Sequence, residues 1–372
     1  MTFSRRGLLA ASLGLCAACS NPARPSHAEH DACATALTGD LTGFDAAKLQ
    51  ACLDDFSSGP INFHGLVIQR GGHFVAERYR AGSDRPNTSI IERRSSFDAC
   101  ALHDVRSISK SITSLLWGIA AGQGKTPALD TPVLSLYPRL SRLNGEGREK
   151  ITIRHLLTMS SGLKWDEENY ANPVNDEERL YWTGDQARYV FDRPMAAEAG
   201  ARFNYNGGCT AVIADLLTRA MGATLPAFAE AQLFAPLGIT EWRWVRDHRG
   251  RATAFAGLRL KPRDMAKIGQ LVLDGGQWDG RAIVPAAWIA DSIAPHIETG
   301  DGLHYGYFWW LGQVDALGGA HDYIAGFGNG GQRIFVVPSL QLVVAITAGN
   351  YNRPEQRRSK DLFRSIAAAL SA

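Results

Sequence analysis

Several things are scarce in this chain of 372 residues, and each scarcity excludes a class of protein. Neither sign of charge dominates: 39 Lys and Arg stand against 37 Asp and Glu, interspersed, for a net charge of +2. That balance gives no electrostatic footprint for nucleic acid or an anionic membrane surface. No apolar run reaches the length a membrane span requires, and there is no internal repeat or low-complexity tract. Only six cysteines occur, and none of their spacings carries a metal signature. H-E-x-x-H and G-x-S-x-G are both missing, which removes the zinc-peptidase and α/β-hydrolase readings.

The first residues read as a targeting segment. Ser4-Arg5-Arg6-Gly7-Leu8-Leu9 is a twin-arginine pattern before a short apolar run, and Ser26-His27-Ala28 offers small residues to a signal peptidase. Residues 1–28 are therefore set apart as an export signal, and a periplasmic or secreted protein is expected. Cys16-Ala17-Ala18-Cys19 resembles an imperfect lipoprotein box, which makes Cys19 a candidate lipid-anchor site and ranks second. In an oxidising compartment Cys33 and Cys52, flanking one short segment, are candidates to pair. Cys100 and Cys209 read as small apolar fillers near site motifs.

The roughly 340 residues that follow can bury a sizeable core and fill two lobes. Asp45–Phe56 has the spacing of an amphipathic helix, and residues 65–70 and 74–79, joined at Gly71-Gly72, read as a β-hairpin. A mainly helical block follows, with helices opening at Thr152, Asp185, Cys209, Leu225 and Pro262. Strands return at 305–311, 331–337 and 340–347, before a last helix at 356–370. The fold class is therefore α/β of the α+β type: an antiparallel sheet flanked by helices, built from both ends of the chain (29–123 and 300–372), with a helical lobe (124–299) inserted. A site is expected in the cleft between lobes.

The chemistry centres on His103-Asp104-Val105-Arg106-Ser107-Ile108-Ser109-Lys110. Apolar residues at 108, 112, 115, 116 and 119 mark one buried face of a helix that starts at this stretch, so Ser107 and Lys110 lie three apart near its N-terminus. Unpaired amides and the helix field there favour an oxyanion. The same field and burial are expected to lower the Lys110 pKa, so that an amine, or a phenol beside it, takes the proton from Ser107. S-x-x-K alone is a common chance match; the apolar helix and two further segments raise its weight. In Phe203-Asn204-Tyr205-Asn206-Gly207, Tyr205 is a candidate general base, its phenol acidified by a neighbouring ammonium. In Gly326-Phe327-Gly328-Asn329-Gly330-Gly331-Gln332, glycines let backbone approach a ligand, and the following amide is a candidate second oxyanion donor. An ordinary loop tyrosine and a glycine-rich hairpin are the bland alternatives.

Together with His155-Leu156-Leu157-Thr158-Met159-Ser160-Ser161-Gly162-Leu163, Leu237-Gly238-Ile239 and Gly306-Tyr307-Phe308-Trp309-Trp310, these motifs resemble the serine β-lactamase and penicillin-binding-protein superfamily, in particular its class C β-lactamase-related group. The resemblance covers nearly all of the chain after the leader. It implies a β-lactamase/transpeptidase-like fold and Ser107 as nucleophile, with Lys110 and Tyr205 as its proton partners and the amides of Ser107 and Gln332 as the oxyanion hole. No metal or organic cofactor is implied.

Two positions depart from the pattern. The second motif, Tyr-x-Asn or Tyr-x-Ser, here ends in Gly207, which leaves Asn206 as the candidate substitute. The third, Lys-Thr-Gly or His-Thr-Gly, is replaced by Asn329-Gly330-Gly331, so a cation for a β-lactam carboxylate is missing unless Arg333 supplies it. Both leave acylation intact and weaken the case for efficient β-lactam turnover. The expected substrate is a small ester or amide. An amide-oligomer or D-amino-acid-peptide hydrolase is the alternative within enzymes, and a non-hydrolysing penicillin-binding sensor the alternative outside them. Asn329, Gly330, Gly331 and Trp182 complete the candidate substrate-binding set, with Trp165, Tyr170 and Tyr181 as further aromatics on that side.

Overall fold

The computed structural model describes residues 36–167 and 175–371. The leader, Cys19, Cys33 and Tyr170 lie outside them. Nine strands form one sheet: β1 (Ala36–Thr38), β2 (Phe63–Arg70), β3 (His73–Tyr79), β4 (Ile297–Glu298), β5 (His304–Tyr305), β6 (Trp310–Ala316), β7 (Gly319–Gly328), β8 (Gln332–Val337) and β9 (Leu342–Ala348). Their order is β1-β3-β2-β9-β8-β7-β6-β5-β4, and every neighbouring pair is antiparallel. The early hairpin joins the late strands where β2 pairs with β9, Ile68 opposite Val344 and Leu66 opposite Ile346. That pairing is what makes one sheet of the two chain ends.

Successive strand residues point to opposite faces, and both faces are covered, so the central strands are apolar throughout. On one face Leu66, Ile68, Phe335, Val344 and Ile346 meet helices α1 (Ala46–Ser58) and α6 (Arg358–Ala368) through Leu49, Leu53, Phe56, Phe363 and Ile366. On the other, Val67, Ile334, Val336, Val343 and Ala345 join the larger core. There lie α2 (Ile108–Gly122) and, beyond it, the helical block with α3 (Asp176–Trp182) and α4 (Gly207–Met221). Helix α5 (Pro262–Leu273) also sits on this face: a Cβ at Gly269 would stand 2.6 Å from Val343, so glycine allows the close approach. Sequence order placed α5 with the helical lobe; packing places it on the sheet.

Helix α2 is buried from Ile108 to Ala120, polar residues included. Thr113 donates to the Ser109 carbonyl at 2.9 Å and Ser111 to that of Phe308 at 2.7 Å, whereas Ser114 Oγ and Trp117 Nε1 are buried without a hydrogen-bond partner.

Three expectations are corrected. Residues 305–311 are not one strand, because the chain breaks between β5 and β6 at Phe308, whose φ is 63°. Beside these corrections, residues 323–328 prove to be the end of a long strand. Cys52 is a free thiol buried on α1, so it does not pair with Cys33. Cys100 is disulfide-bonded rather than an apolar filler, whereas Cys209 is a free, buried thiol as expected. Among the described residues no single helix is long and apolar enough to cross a membrane.

Candidate active site

Ser107 reaches its place through a small second sheet. His103-Asp104 pairs with residues 258–260, and Val105 donates to the Leu258 carbonyl at 3.0 Å. Arg106 then turns the chain with φ of 52°, and Ser107 occupies the cap position of α2. Its hydroxyl makes no capping bond. Instead Lys110 Nζ lies 3.0 Å from Ser107 Oγ and 2.9 Å from the Phe255 carbonyl. The S-x-x-K reading is thus realised: one helical turn brings amine and hydroxyl into contact.

The wall beneath this turn is a buried polar cluster. His64 and His103 meet nitrogen to nitrogen at 2.7 Å, and Asp84 accepts from Tyr351, whose ring lies 4.3 Å from the Arg106 guanidinium carbon. Asp104 pairs with Arg259 at 2.9 Å. These contacts fix the strand that delivers the nucleophile.

Tyr205 is brought to the same point. Its hydroxyl lies beside Ser107, and its ring centroid lies 4.7 Å from Lys110 Nζ. The loop carrying it is held by the Thr158–Gly162 motif: Asn204 N–H donates to the Met159 carbonyl at 2.8 Å and Asn206 N–H to the Met159 sulfur at 3.3 Å. The expected acidification of the phenol does not occur. Burial raises the Tyr205 pKa, and the opposing pull of Lys110 is the smaller effect.

Two carboxylates missed by the sequence reading face Lys110. Glu167 Oε1 lies 3.7 Å and Glu177 Oε1 3.5 Å from its Nζ. The lysine was expected to feel chiefly the helix field, and these charges act in the opposite direction. Glu167 is enclosed, with Oε2 accepting from Trp165 Nε1 at 2.7 Å and from the Gly207 N–H. Burial, then the proximity of Glu177, pushes its pKa up to about 8.

Gln332 is not the second oxyanion donor. It lies in β8, between β7 and β9, and its side chain ties to Ala348. The strand that touches α2 is β7: a Cβ at Gly326 would lie 3.4 Å from Ile108 and Ser111, and one at Gly328 2.4 Å from the Val105 carbonyl. The Gly328 carbonyl is turned toward β8, where it accepts from Gly331 N–H. Alternation then turns the Phe327 amide to the opposite edge. There β6 has already ended, its last partner being Trp310 opposite Ala325. The Phe327 N–H is thus a strand donor on an edge that β6 does not cover, in the strand that touches α2.

The remaining candidates separate from the site. Asn206 is fully buried and caps α4, accepting from Cys209 N–H at 3.2 Å, so it does not stand in for the missing side chain at 207. Asn329 bonds Asn352, Gly330 abuts the Tyr351 ring and Gly331 abuts Ser359 and Ala348. Those glycines serve the approach of α6 and the 350–353 loop, not a ligand. Arg333 turns away from Ser107, donating to the carbonyls of Gly328 and Gln332 with its guanidinium 4.7 Å from the Phe327 ring centroid. Trp182 is 76% exposed at the end of α3, stacked on His248. Trp165 is buried, and Tyr181 is half-buried against Phe255.

The chain matches the β-lactamase family over residues 65–369. It is 24% identical over 357 residues to the 6-aminohexanoate-dimer hydrolase of Paenarthrobacter ureafaciens, covering 90% of this chain and 82% of that one. It is 30% identical over 256 residues to the lovastatin esterase of Penicillium rubens, covering 61% of this chain and 59% of that one. Among solved structures, a penicillin-binding-protein homologue from Caulobacter crescentus superposes with a TM-score of 0.67 at 15% identity, covering 90% of this chain and 99% of that one. A putative 6-aminohexanoate-dimer hydrolase from Bacillus anthracis gives 0.66 at 20%, covering 89% and 86%. These structural likenesses establish the shared fold.

Proposed function

The chain belongs to the β-lactamase family of serine hydrolases, and we propose that it hydrolyses small esters or amides through an acyl-enzyme on Ser107. The observation that carries this is the contact of Ser107 Oγ with Lys110 Nζ at 3.0 Å, with Tyr205 beside the pair and its ring centroid 4.7 Å from that Nζ. Ser107 Oγ attacks the substrate carbonyl, and its proton passes to Lys110. The carbonyl electron pair becomes an oxyanion between the amides of Ser107 and Phe327. With its raised pKa, Tyr205 remains a phenol and acts as proton carrier to the leaving group rather than as a phenolate base. Water then cleaves the acyl-enzyme by the reverse path.

Ester or linear amide substrates fit better than β-lactams, since Asn329-Gly330-Gly331 supplies no cation and Arg333 is turned away. Similarity to an amide-dimer hydrolase across most of both chains favours short linear amides as the second substrate class. Side-by-side assays with a short-chain aryl ester, a linear amide dimer and a chromogenic cephalosporin test this. Turnover of the first two with little of the third supports the reading, and the reverse order overturns it. Export by the twin-arginine route remains part of the proposal; periplasmic recovery that is lost on replacing Arg5 and Arg6 by Lys supports it, and unchanged recovery contradicts it.

A further inference from the structure

The space beside Gly207 is filled from elsewhere in the chain. A Cβ built on Gly207 would stand 3.1 Å from Glu167 Oε2 and 3.2 Å from Glu177 Oε1, so the two carboxylates converge where a side chain at 207 would begin. One comes from the loop after Trp165, the other from the first turn of α3. Both also face Lys110. Glu167 has 1% of its side chain exposed and Glu177 13%, so their interaction with the lysine is little screened by water.

Lys110 Nζ faces the Phe255 carbonyl, Glu177 Oε1 and Ser107 Oγ. To take the Ser107 proton it must meet the substrate as an amine, with its lone pair toward Ser107. Taking that proton makes an ammonium, which requires one negative charge nearby and not two: a second would hold the lysine protonated before the reaction begins. Two buried carboxylates side by side do not both ionise readily, so the pair retains one proton. Glu167 has the place for it. It is the more deeply buried of the two, and burial disfavours its charged form.

We propose that Glu167 and Glu177 form a pair holding one proton between them, which positions Lys110 and balances its charge as the Ser107 proton arrives, in place of the side chain that Gly207 lacks. Both are positioning residues, acting through Lys110, and the inference rests on the acyl-serine reading. In the step itself the Ser107 O–H bond breaks, an Nζ–H bond forms on Lys110, and the Ser107 oxygen bonds to the carbonyl carbon, whose π pair moves to oxygen. The carboxylates gain and lose no atoms.

Loss of the pair's proton should therefore switch the site off at alkaline pH. The titratable groups facing Glu167 are Glu177, Lys110, Tyr205, Cys209 and Tyr305. Burial pushes Cys209 up to about 12 and raises both tyrosines above the ordinary phenol value. Glu167, at about 8, titrates near neutrality, where Cys209 and both tyrosines keep their protons.

The test is the pH profile of kcat/KM for an aryl ester, pH 6 to 10, on wild type, Glu167→Gln and Glu177→Gln, with Ser107→Ala as control and folding checked by circular dichroism. The expected wild-type profile falls as pH rises through about 8. Glu167→Gln, a neutral isostere of the protonated acid, should lose that limb. Glu177→Gln should lower kcat about tenfold or more with KM nearly unchanged. An alkaline limb at the same pH in Glu167→Gln, or wild-type kcat in Glu177→Gln, overturns the pair while leaving the hydrolase standing. Turnover surviving in Ser107→Ala overturns the acyl-serine reading, and the pair's role with it.

Discussion

Lys110 Nζ donates to the carbonyl oxygen of Phe255 at 2.9 Å, which anchors the lysine to a backbone segment that also pairs with the strand delivering Ser107. The amine is thereby placed before any substrate arrives. Its hydrogen-bond partners are arranged around a single nitrogen, so a planar guanidinium does not reproduce them.

Replacing Lys110 by Ala is accordingly expected to lower kcat for an aryl ester by about 10²–10⁴-fold, and Lys110→Arg should recover little of it. Steady-state kinetics on the two variants checks this; near wild-type kcat in Lys110→Arg would contradict a proton-accepting amine.

Tyr205→Phe removes the hydroxyl but keeps the ring against Phe203, Tyr305 and Trp310. The loss should appear in kcat, about 10²-fold or more, and should be larger for an amide, whose leaving group must be protonated, than for a p-nitrophenyl ester, whose leaving group need not be. Equal losses on both substrates would count against Tyr205 as the proton carrier.

Two glycine-to-alanine substitutions should diverge. Gly118 lies on α2, and a methyl there would fall 2.1 Å from Trp288 Cδ1, so Gly118→Ala should destabilise the fold by about 1–3 kcal/mol. Gly207 opens α4 with no left-handed backbone, and the atoms nearest its methyl would be those of the two carboxylates and Phe255. Gly207→Ala should therefore leave urea stability nearly unchanged while lowering kcat. Equal stability losses in the two variants would show that Gly207 is simply a packing glycine.

His64 sets an acid limit on stability. Burial first, and then the neighbouring His103, pull its folded pKa from 6.5 down to about 2. The folded protein thus binds fewer protons than the unfolded chain below pH 6.5. The contribution of neutral His64 is complete above that value and is lost as pH falls toward the folded value. Between pH 6.5 and 4.5 the loss amounts to about 2–3 kcal/mol. Urea unfolding at these two pH values should show that decrement in wild type and a smaller one in His64→Gln; identical decrements would remove His64 as its source.

What was legible in the sequence was local. Ser107 and Lys110 could be placed because three residues on one helix turn fix their distance, and the apolar face of α2 announced the helix. Tyr205 could be named from its loop, though the sign of its pKa shift depended on burial that only packing reveals. Glu167 was illegible: it stands among Asp166, Glu167 and Glu168, an acidic run that reads as solvated, and becomes a buried group only because Trp165 and Gly207, 40 residues apart in the case of Gly207, donate to it. Gln332 and Phe327 differ by strand order. Five residues of sequence separate two amides that face different neighbours, and no periodicity states which edge β6 leaves open. The glycines at 330 and 331 were visible, but whether they admit a ligand or a tyrosine ring is a tertiary fact.

Intact-mass spectrometry of the purified protein, quenched during turnover of a short-chain aryl ester, would reveal an acyl group on Ser107. A transient mass increase equal to the acyl group is expected, mapping by peptide digestion to the segment that contains Ser107 and absent from Ser107→Ala, which should also lose turnover. Ester hydrolysis undiminished in Ser107→Ala, or an adduct that maps to another residue, would contradict an acyl-enzyme on Ser107.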